Sequence, residues 1–309
     1  MIEPVKPSVA GSGGCDNTHP TQAKIQSRQS RSSTYKLAYT DEAFLSRDEL
    51  LSVRLQLELL KPEILQNEYG VHSTVVIFGS SRIPDFDTAT ERLQHARTCL
   101  AASPDDAALA RKVKVAERIV YNSRFYNEAR ELSRLITADA LSGSLSELTV
   151  VTGGGPGIME AANRGAMEAG GKSIGLNIVL PFEQIPNDFV TPELCFQFHY
   201  FAIRKMHFLK RAKALVACPG GFGTLDELFE TLTLIQTHKM AALPVLLLGQ
   251  DFWERVVDFQ SLVAEGVIAE EDLSLFHIVD SAEDAWTIIE ASVLASEPRG
   301  ETAPDANFP

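Results

Sequence analysis

The sequence predicts an α/β protein: a doubly wound, mostly parallel sheet of Rossmann-like form, with a helical insertion after its first strand. Three observations carry this. Short, almost continuously apolar runs recur along the chain, as strands buried on both faces require. Amphipathic helical stretches separate them, and glycine-rich turns directly follow three of them. Alternation of this kind builds parallel sheets whose ligands bind at the carboxyl ends of the strands.

The first 34 residues are rich in Ser, Gly, Pro, Thr and Gln and hold few large apolar groups. They cannot bury enough surface to offset their ordering entropy, so they read as a flexible tail. "STVVIFG" (73–79) is the first strand. From Gly79 to Gly153 there are 74 positions, where one strand–helix–strand step needs about 30. The surplus is a helical insertion over about 86–140. It consists of a shorter helix at about 86–102 and one long helix over 103–136, opened by Ser-Pro-Asp-Asp with proline at its first position. "LTVVTGGG" (148–155) and "SIGLNIVL" (173–180) are strands on either side of the helix "IMEAANRGAMEAGG" (158–171), whose closing glycines supply a C-terminal cap. The amphipathic stretch "YFAIRKMHFLKRAKA" (200–214) precedes the strands "KALVACPGG" (213–221) and "LPVLLLG" (243–249). In the helix "SAEDAWTIIEASVLA" (281–295), Ser281, Glu283 and Asp284 favour the start. Residues 35–295 are thus expected as one domain, and 296–309 as a second tail.

With 309 residues, 45% hydrophobic and 22% charged, the chain can build a core without disulfides or metals. Its net charge of −13, from 28 basic and 41 acidic residues, shows no electrostatic footprint for nucleic acid. A small phosphorylated ligand needs only a local site. The four cysteines lie far apart with no CxxC pair, the usage of reduced thiols. No apolar run reaches the roughly 18–20 residues of a membrane span, and the N-terminus lacks a signal-type apolar core. A cytoplasmic protein without a membrane partner is expected.

The three glycine-rich turns are "FGSSR" (78–82), "TGGGPGIME" (152–160) and "PGGFGTLDE" (219–227). In a parallel sheet they fall on one edge, where backbone N–H groups and helix N-termini can hold an anion. Any one of them could simply be tight packing; three together indicate a shared nucleotide-type site. There is no GxxxxGK[ST] and no GxGxxG after the first strand, which disfavours triphosphate and dinucleotide ligands and fits a monophosphate better. Thr224 and Glu227 match a T-x-x-E capping box, and Asp226 and Glu230 suit a helix start. The glycine-heavy "PGGFG" before them is an odd lead-in for a cap alone. A carboxylate one turn from a phosphate site is repelled by it unless it addresses the ligand's sugar. In 200–214, Arg204, His207 and Arg211 recur at i, i+3 and i+7; Lys210 and Lys213 read as solvated, and His207 as a packing residue.

These residues resemble the Lonely Guy family, the cytokinin riboside 5′-monophosphate phosphoribohydrolases long labelled lysine decarboxylases. The family's PGGxGTxxE motif stands at Pro219–Glu227, its Arg-Lys pair at Arg204-Lys205, 15 positions before Pro219, and its second glycine turn at "GGGPGIMEAANRGA". The resemblance spans roughly 73–290. It implies hydrolysis of the N-glycosidic bond of purine nucleoside 5′-monophosphates to free base and ribose 5-phosphate, with no cofactor. By the same carry-over, Arg204 and Glu227 are catalytic. Gly220, Gly221, Gly223 and Thr224 hold the phosphate, Lys205 and Thr233 lie beside the ligand, and Gly154, Gly155 and Ser80 belong to the site. Glu183 in "LPFEQ" resembles a family glutamate at altered spacing. Relatives are dimers or larger, so a homo-oligomer is expected. A fixed carboxylate suits the oxocarbenium-like state of such a cleavage. Arginine, always protonated, is a clamp or charge stabiliser rather than a proton donor. Asp226 departs from the glutamate of many relatives, and the insertion leaves plain AMP as credible a substrate as an isopentenyl-adenine nucleotide. The rival reading is a non-catalytic module binding a nucleotide or phosphorylated cofactor. A single-strand DNA binder finds no support in the net charge, and nothing specifies a pyridoxal phosphate site.

Overall fold

The computed structural model describes residues 27–143, 148–181 and 185–296. The chain divides into two compact units at Leu51/Ser52. In the first, residues 27–51 form single 3-10 turns at Ser33–Tyr35, Ala38–Thr40 and Asp48–Leu50, and a one-turn helix α1 (Glu42–Leu45) capped by Asp41; none of them buries a residue.

The second unit is a seven-stranded sheet with helices on both faces. The strands are β1 (Ser73–Phe78), β2 (Leu148–Thr152), β3 (Ser173–Ile178), β4 (Cys195–Phe198), β5 (Ala212–Ala217), β6 (Val245–Leu248) and β7 (His277–Val279). All pair in parallel, in the order β4-β3-β2-β1-β5-β6-β7. The helices are α2 (Leu51–Glu68), α3 (Phe86–Ala102), α4 (Ala107–Asn122), α5 (Arg124–Ser142), α6 (Ile158–Glu168), α7 (Phe201–Lys210), α8 (Phe222–Gln236), α9 (Gln250–Val256), α10 (Phe259–Ala264) and α11 (Ala282–Ser296). Side chains alternate across the pleat. Val75, Ile77, Val150, Val216 and Leu248 pack with α5, α6 and α11. Val76, Phe78, Val151, Leu215 and Leu247 pack with α7, α8, α9 and α10. Both faces are therefore dry, which explains the unbroken apolar runs in the sequence.

The strand order reverses at β1: β2 pairs on one flank and β5 on the other. The connections leaving β1 and β5 diverge there and open a crevice at the strands' carboxyl ends, where ligands of such sheets bind.

Three expectations need correction. The long helix over 103–136 is two helices, broken at the buried Ser123, whose Oγ donates to the Val120 carbonyl. The cap of α4 is Asp106, accepting from the N–H groups of Ala108 and Leu109, so Pro104 lies outside the helix. The insertion is also narrower than 86–140. Helix α5 buries Phe125, Tyr126, Ala129, Leu132 and Ile136 in the core and is the crossover to β2, leaving α3 and α4 as the added hairpin. Helix α2 and strands β4 and β7 were not anticipated. β4 and β7 are short edge strands of four and three residues, too brief to carry a period. The expected closing glycines of α6 do cap it: Gly170 has φ +85°, and the Gly171 N–H reaches the Ala166 carbonyl.

Candidate active site

The crevice is built by the three glycine turns holding one another. The Ser80 N–H donates to the Pro219 carbonyl at 3.0 Å, and the Ser80 carbonyl accepts from the Ile158 N–H at 3.1 Å. Close approach explains two glycines. A Cβ on Gly79 would lie 2.4 Å from Ile158 Cγ2, and one on Gly157, already at φ +72°, would lie 2.5 Å from the Ser80 carbonyl oxygen. The turn after β1 is thus clamped between the other two, a rigid frame rather than a loose loop.

The cavity they enclose has a volume of about 570 Å³. Gly79, Ser80, Ser81 and Arg82 line it from the first turn, Gly153 and Met159 from the second, and Gly221, Gly223, Thr224 and Glu227 from the third. Phe201, Arg204 and Phe208 of α7 close one side, with Asn177 and Ile178 at the end of β3 and Leu180 just beyond it. Gly221 caps α8 by its backbone only, without a side-chain hydrogen bond. Thr224 is already the third helical residue, so the capping box does not form. The first N–H groups of a helix lack intrahelical acceptors and make an anion-receptive end. At Gly221 and Gly223 an added Cβ would meet nothing within 4 Å beyond the immediately adjoining chain, so the space beside this end is open.

Freed from capping, Glu227 is buried and faces Arg204, with Nη2 and Oε1 3.6 Å apart. That is an ion pair too long for a good hydrogen bond. Arg204 sits between two rings of its own helix, 4.9 Å from the Phe201 centroid and 5.6 Å from that of Phe208. Burial pushes the Glu227 carboxyl up to about 7, against the opposing pull of Arg204 and Lys205. Burial likewise lowers Arg204 from its ordinary value, and its Nε has no partner. The site therefore holds a carboxylate that changes charge near neutral pH beside a guanidinium with unused donors.

The other expected site residues fall in different places. Lys205 lies on the far side of α8, bridging Asp226 at 2.8 Å and Glu230 at 3.0 Å. It shares a shallow depression with Thr233, whose Oγ1 donates to the Phe229 carbonyl. Gly220 packs beneath Thr224, where a Cβ would meet Thr224 Oγ1 at 2.0 Å. Gly154 and Gly155 do not line the cavity; their carbonyls accept from Asn187 Nδ2 at 3.1 and 2.9 Å. Glu183 lies outside the described residues. His207 is buried, with Nε2 3.3 Å from the Glu58 carbonyl oxygen and its ring against Phe198. Arg82, Met159, Asn177 and the Phe201/Phe208 pair were missed as site residues. For the aromatics a signal existed: they stand at i−3 and i+4 from Arg204, the spacing that stacks side chains on one helix face. Among the described residues no group of three or more His, Cys, Asp or Glu could hold a metal ion, and no helix is long and apolar enough to cross a membrane.

Fold and site together define a Rossmann-like protein with a ligand crevice at its topological switch point and a buried arginine–glutamate pair inside it. Residues 159–289 match the family described as "possible lysine decarboxylase", and the resemblance to the Lonely Guy proteins extends to curated sequences. A cytokinin riboside 5′-monophosphate phosphoribohydrolase of Oryza sativa subsp. japonica is 35% identical over 129 residues, 40% of this chain and 50% of that protein. A probable enzyme of the same name and organism is 30% identical over 151 residues, 47% of this chain and 58% of its own length. The chain thus spans about half of these relatives. Among solved structures, the molybdenum cofactor carrier protein of Chlamydomonas reinhardtii is 22% identical, with a TM-score of 0.40 over 72% of this chain and 98% of that one; so distant a likeness says nothing of function.

Proposed function

We propose that this protein hydrolyses the N-glycosidic bond of purine nucleoside 5′-monophosphates, cytokinin ribotides included, releasing free base and ribose 5-phosphate. The observation that carries the proposal is the Arg204–Glu227 pair, buried together against a cavity formed by the three glycine-rich turns. As the C1′–N bond breaks, its electrons leave with the base and positive charge develops on the ribose. Glu227, ionised above about pH 7, lies where it can oppose that charge and take a proton from the water that attacks C1′. Arg204 offers its free donors to the ribose or to the departing base, which takes up a proton as it leaves. The phosphate, held at the start of α8, fixes the sugar over Glu227. The apolar wall of Phe201, Ile178, Leu180 and Phe208 suits a purine or its prenyl substituent.

The test is incubation of purified protein with a panel of nucleoside 5′-monophosphates, AMP and isopentenyl-AMP among them, assayed for free base and ribose 5-phosphate. Release that disappears in both Glu227→Gln and Arg204→Ala supports the hydrolase. Binding without release from any nucleotide would leave the protein a holder of phosphorylated ligands and sink the catalytic reading.

A further inference from the structure

We propose that Arg82 is the cation that clamps the ligand's phosphate, so that it sets the preference for phosphorylated over unphosphorylated ligands; that the ligand is a 5′-phosphomonoester rests on the function proposed above. Among the described residues, three charged ones line the cavity: Arg82, Arg204 and Glu227. When Glu227 is ionised, the last two, buried against each other, largely cancel. A phosphate dianion entering the crevice therefore meets one uncommitted full positive charge. The guanidinium of Arg82 makes no hydrogen bond, ion pair or ring stack among the described residues, and its side chain is exposed to the cavity mouth. Lys205, by contrast, is already held by two carboxylates.

The backbone beneath Arg82 is fixed. Its N–H donates to Ser80 Oγ at 3.1 Å, and Ser80 in turn is tied to Pro219 and Ile158. Arg82 thus projects from a turn joined directly to the loop that opens α8. The unfilled space at Gly221 and Gly223 lies in the same cavity. A phosphate placed there has the helix N–H groups on one side and a planar five-donor fork able to bind two of its oxygens on the other. The helix end alone offers only a partial positive charge, about half a unit. An exposed arginine adds a salt-sensitive, dianion-selective contact.

The experiment titrates wild-type, Arg82→Ala and Arg82→Lys proteins with AMP, ribose 5-phosphate and adenosine by calorimetry, at low and high salt, and measures KM and kcat for AMP in parallel. Loss of a charge-assisted contact predicts about 10- to 100-fold weaker AMP and ribose 5-phosphate binding in Arg82→Ala. The lysine variant should be intermediate, adenosine affinity unchanged and the salt dependence flatter. KM should rise accordingly while kcat stays nearly constant. Wild-type affinity for AMP in Arg82→Ala, an equal loss for adenosine, or no binding of either phosphorylated ligand by the wild type would overturn the role of Arg82. Binding that depends on Arg82 but releases no base would instead uphold the clamp and refute the hydrolase.

Discussion

Glu227 is held near neutrality because burial disfavours its charged form more than Arg204 restores it, moving it from an ordinary 4.5 to about 7. The folded protein then binds a proton between these values that the unfolded chain has lost, so stability falls as pH rises from about 4.5 to 7. The shift corresponds to roughly 3 kcal/mol. Denaturant titrations should show the stability of Glu227→Gln relative to wild type increasing by about that amount between pH 4.5 and 8, and a flat difference would place the carboxyl in water. In the proposed reaction the same proton must be absent: kcat/KM should drop with unit slope below about pH 7, and Glu227→Gln should cost about 10²- to 10⁴-fold. Because Arg204 pulls that value down, Arg204→Met should move the surviving pH profile to higher pH; an unmoved profile would show that the Arg204 charge does not act on Glu227.

Among the elements, α8 is where stability and binding are set against each other. Gly223 is its second residue and has free space around it. Gly223→Ala should stabilise the helix by up to about 1 kcal/mol yet place a methyl group where the phosphate is proposed to lie. A higher melting temperature with weaker AMP binding is expected; unchanged affinity would move the phosphate elsewhere. Gly165 on α6 is the opposite case. A Cβ there would sit 2.0 Å from the Arg130 carbonyl of α5, so Gly165→Ala should destabilise by about 1–3 kcal/mol despite its better helix propensity. That loss would show by unfolding measurements that α5 belongs to the core rather than to the added hairpin.

For the whole molecule, α2 is fastened to the entrance of the sheet by Arg211. Its guanidinium reaches both Glu63 oxygens at 2.7 Å, Asn67 at 2.6 Å and the Val71 carbonyl at 3.0 Å, and Lys210 adds a 2.9 Å contact to Glu63. Burial would raise Glu63, but these partners overcome it and hold it at about 2. A depressed carboxyl contributes stability above its unfolded value and loses it as pH falls toward 2. Glu63→Gln should therefore cost about 1–2 kcal/mol at pH 7, after allowance for the solvent that still reaches the pair, and progressively less below about pH 4.5. Thermal melts of both proteins across this range check it.

The architecture was legible because a sheet covered on both faces leaves unbroken apolar runs, as in Ser73–Phe78 and Val245–Leu248. The glycine turns were legible because close backbone contact excludes a Cβ, as at Gly79 and Gly157. The break at Ser123 was not, since a serine that donates back to Val120 looks locally like any helical serine. Local pattern also left Glu227 undecided between cap and site, and could not rank the glycines after β2, of which Gly153 rather than Gly154 or Gly155 reaches the cavity. The sequence by itself determined the five inner strands, the turns and the motif residues, because these are set by periodicity and by steric exclusion within a few residues. The tertiary structure decided that Glu227 and Arg204 are buried face to face, that Lys205 and Thr233 turn away, and that Arg82 lines the cavity without a partner among the described residues. Burial and charge pairing depend on what α7, α8 and the three turns bring together across the sheet, which no local stretch of sequence contains.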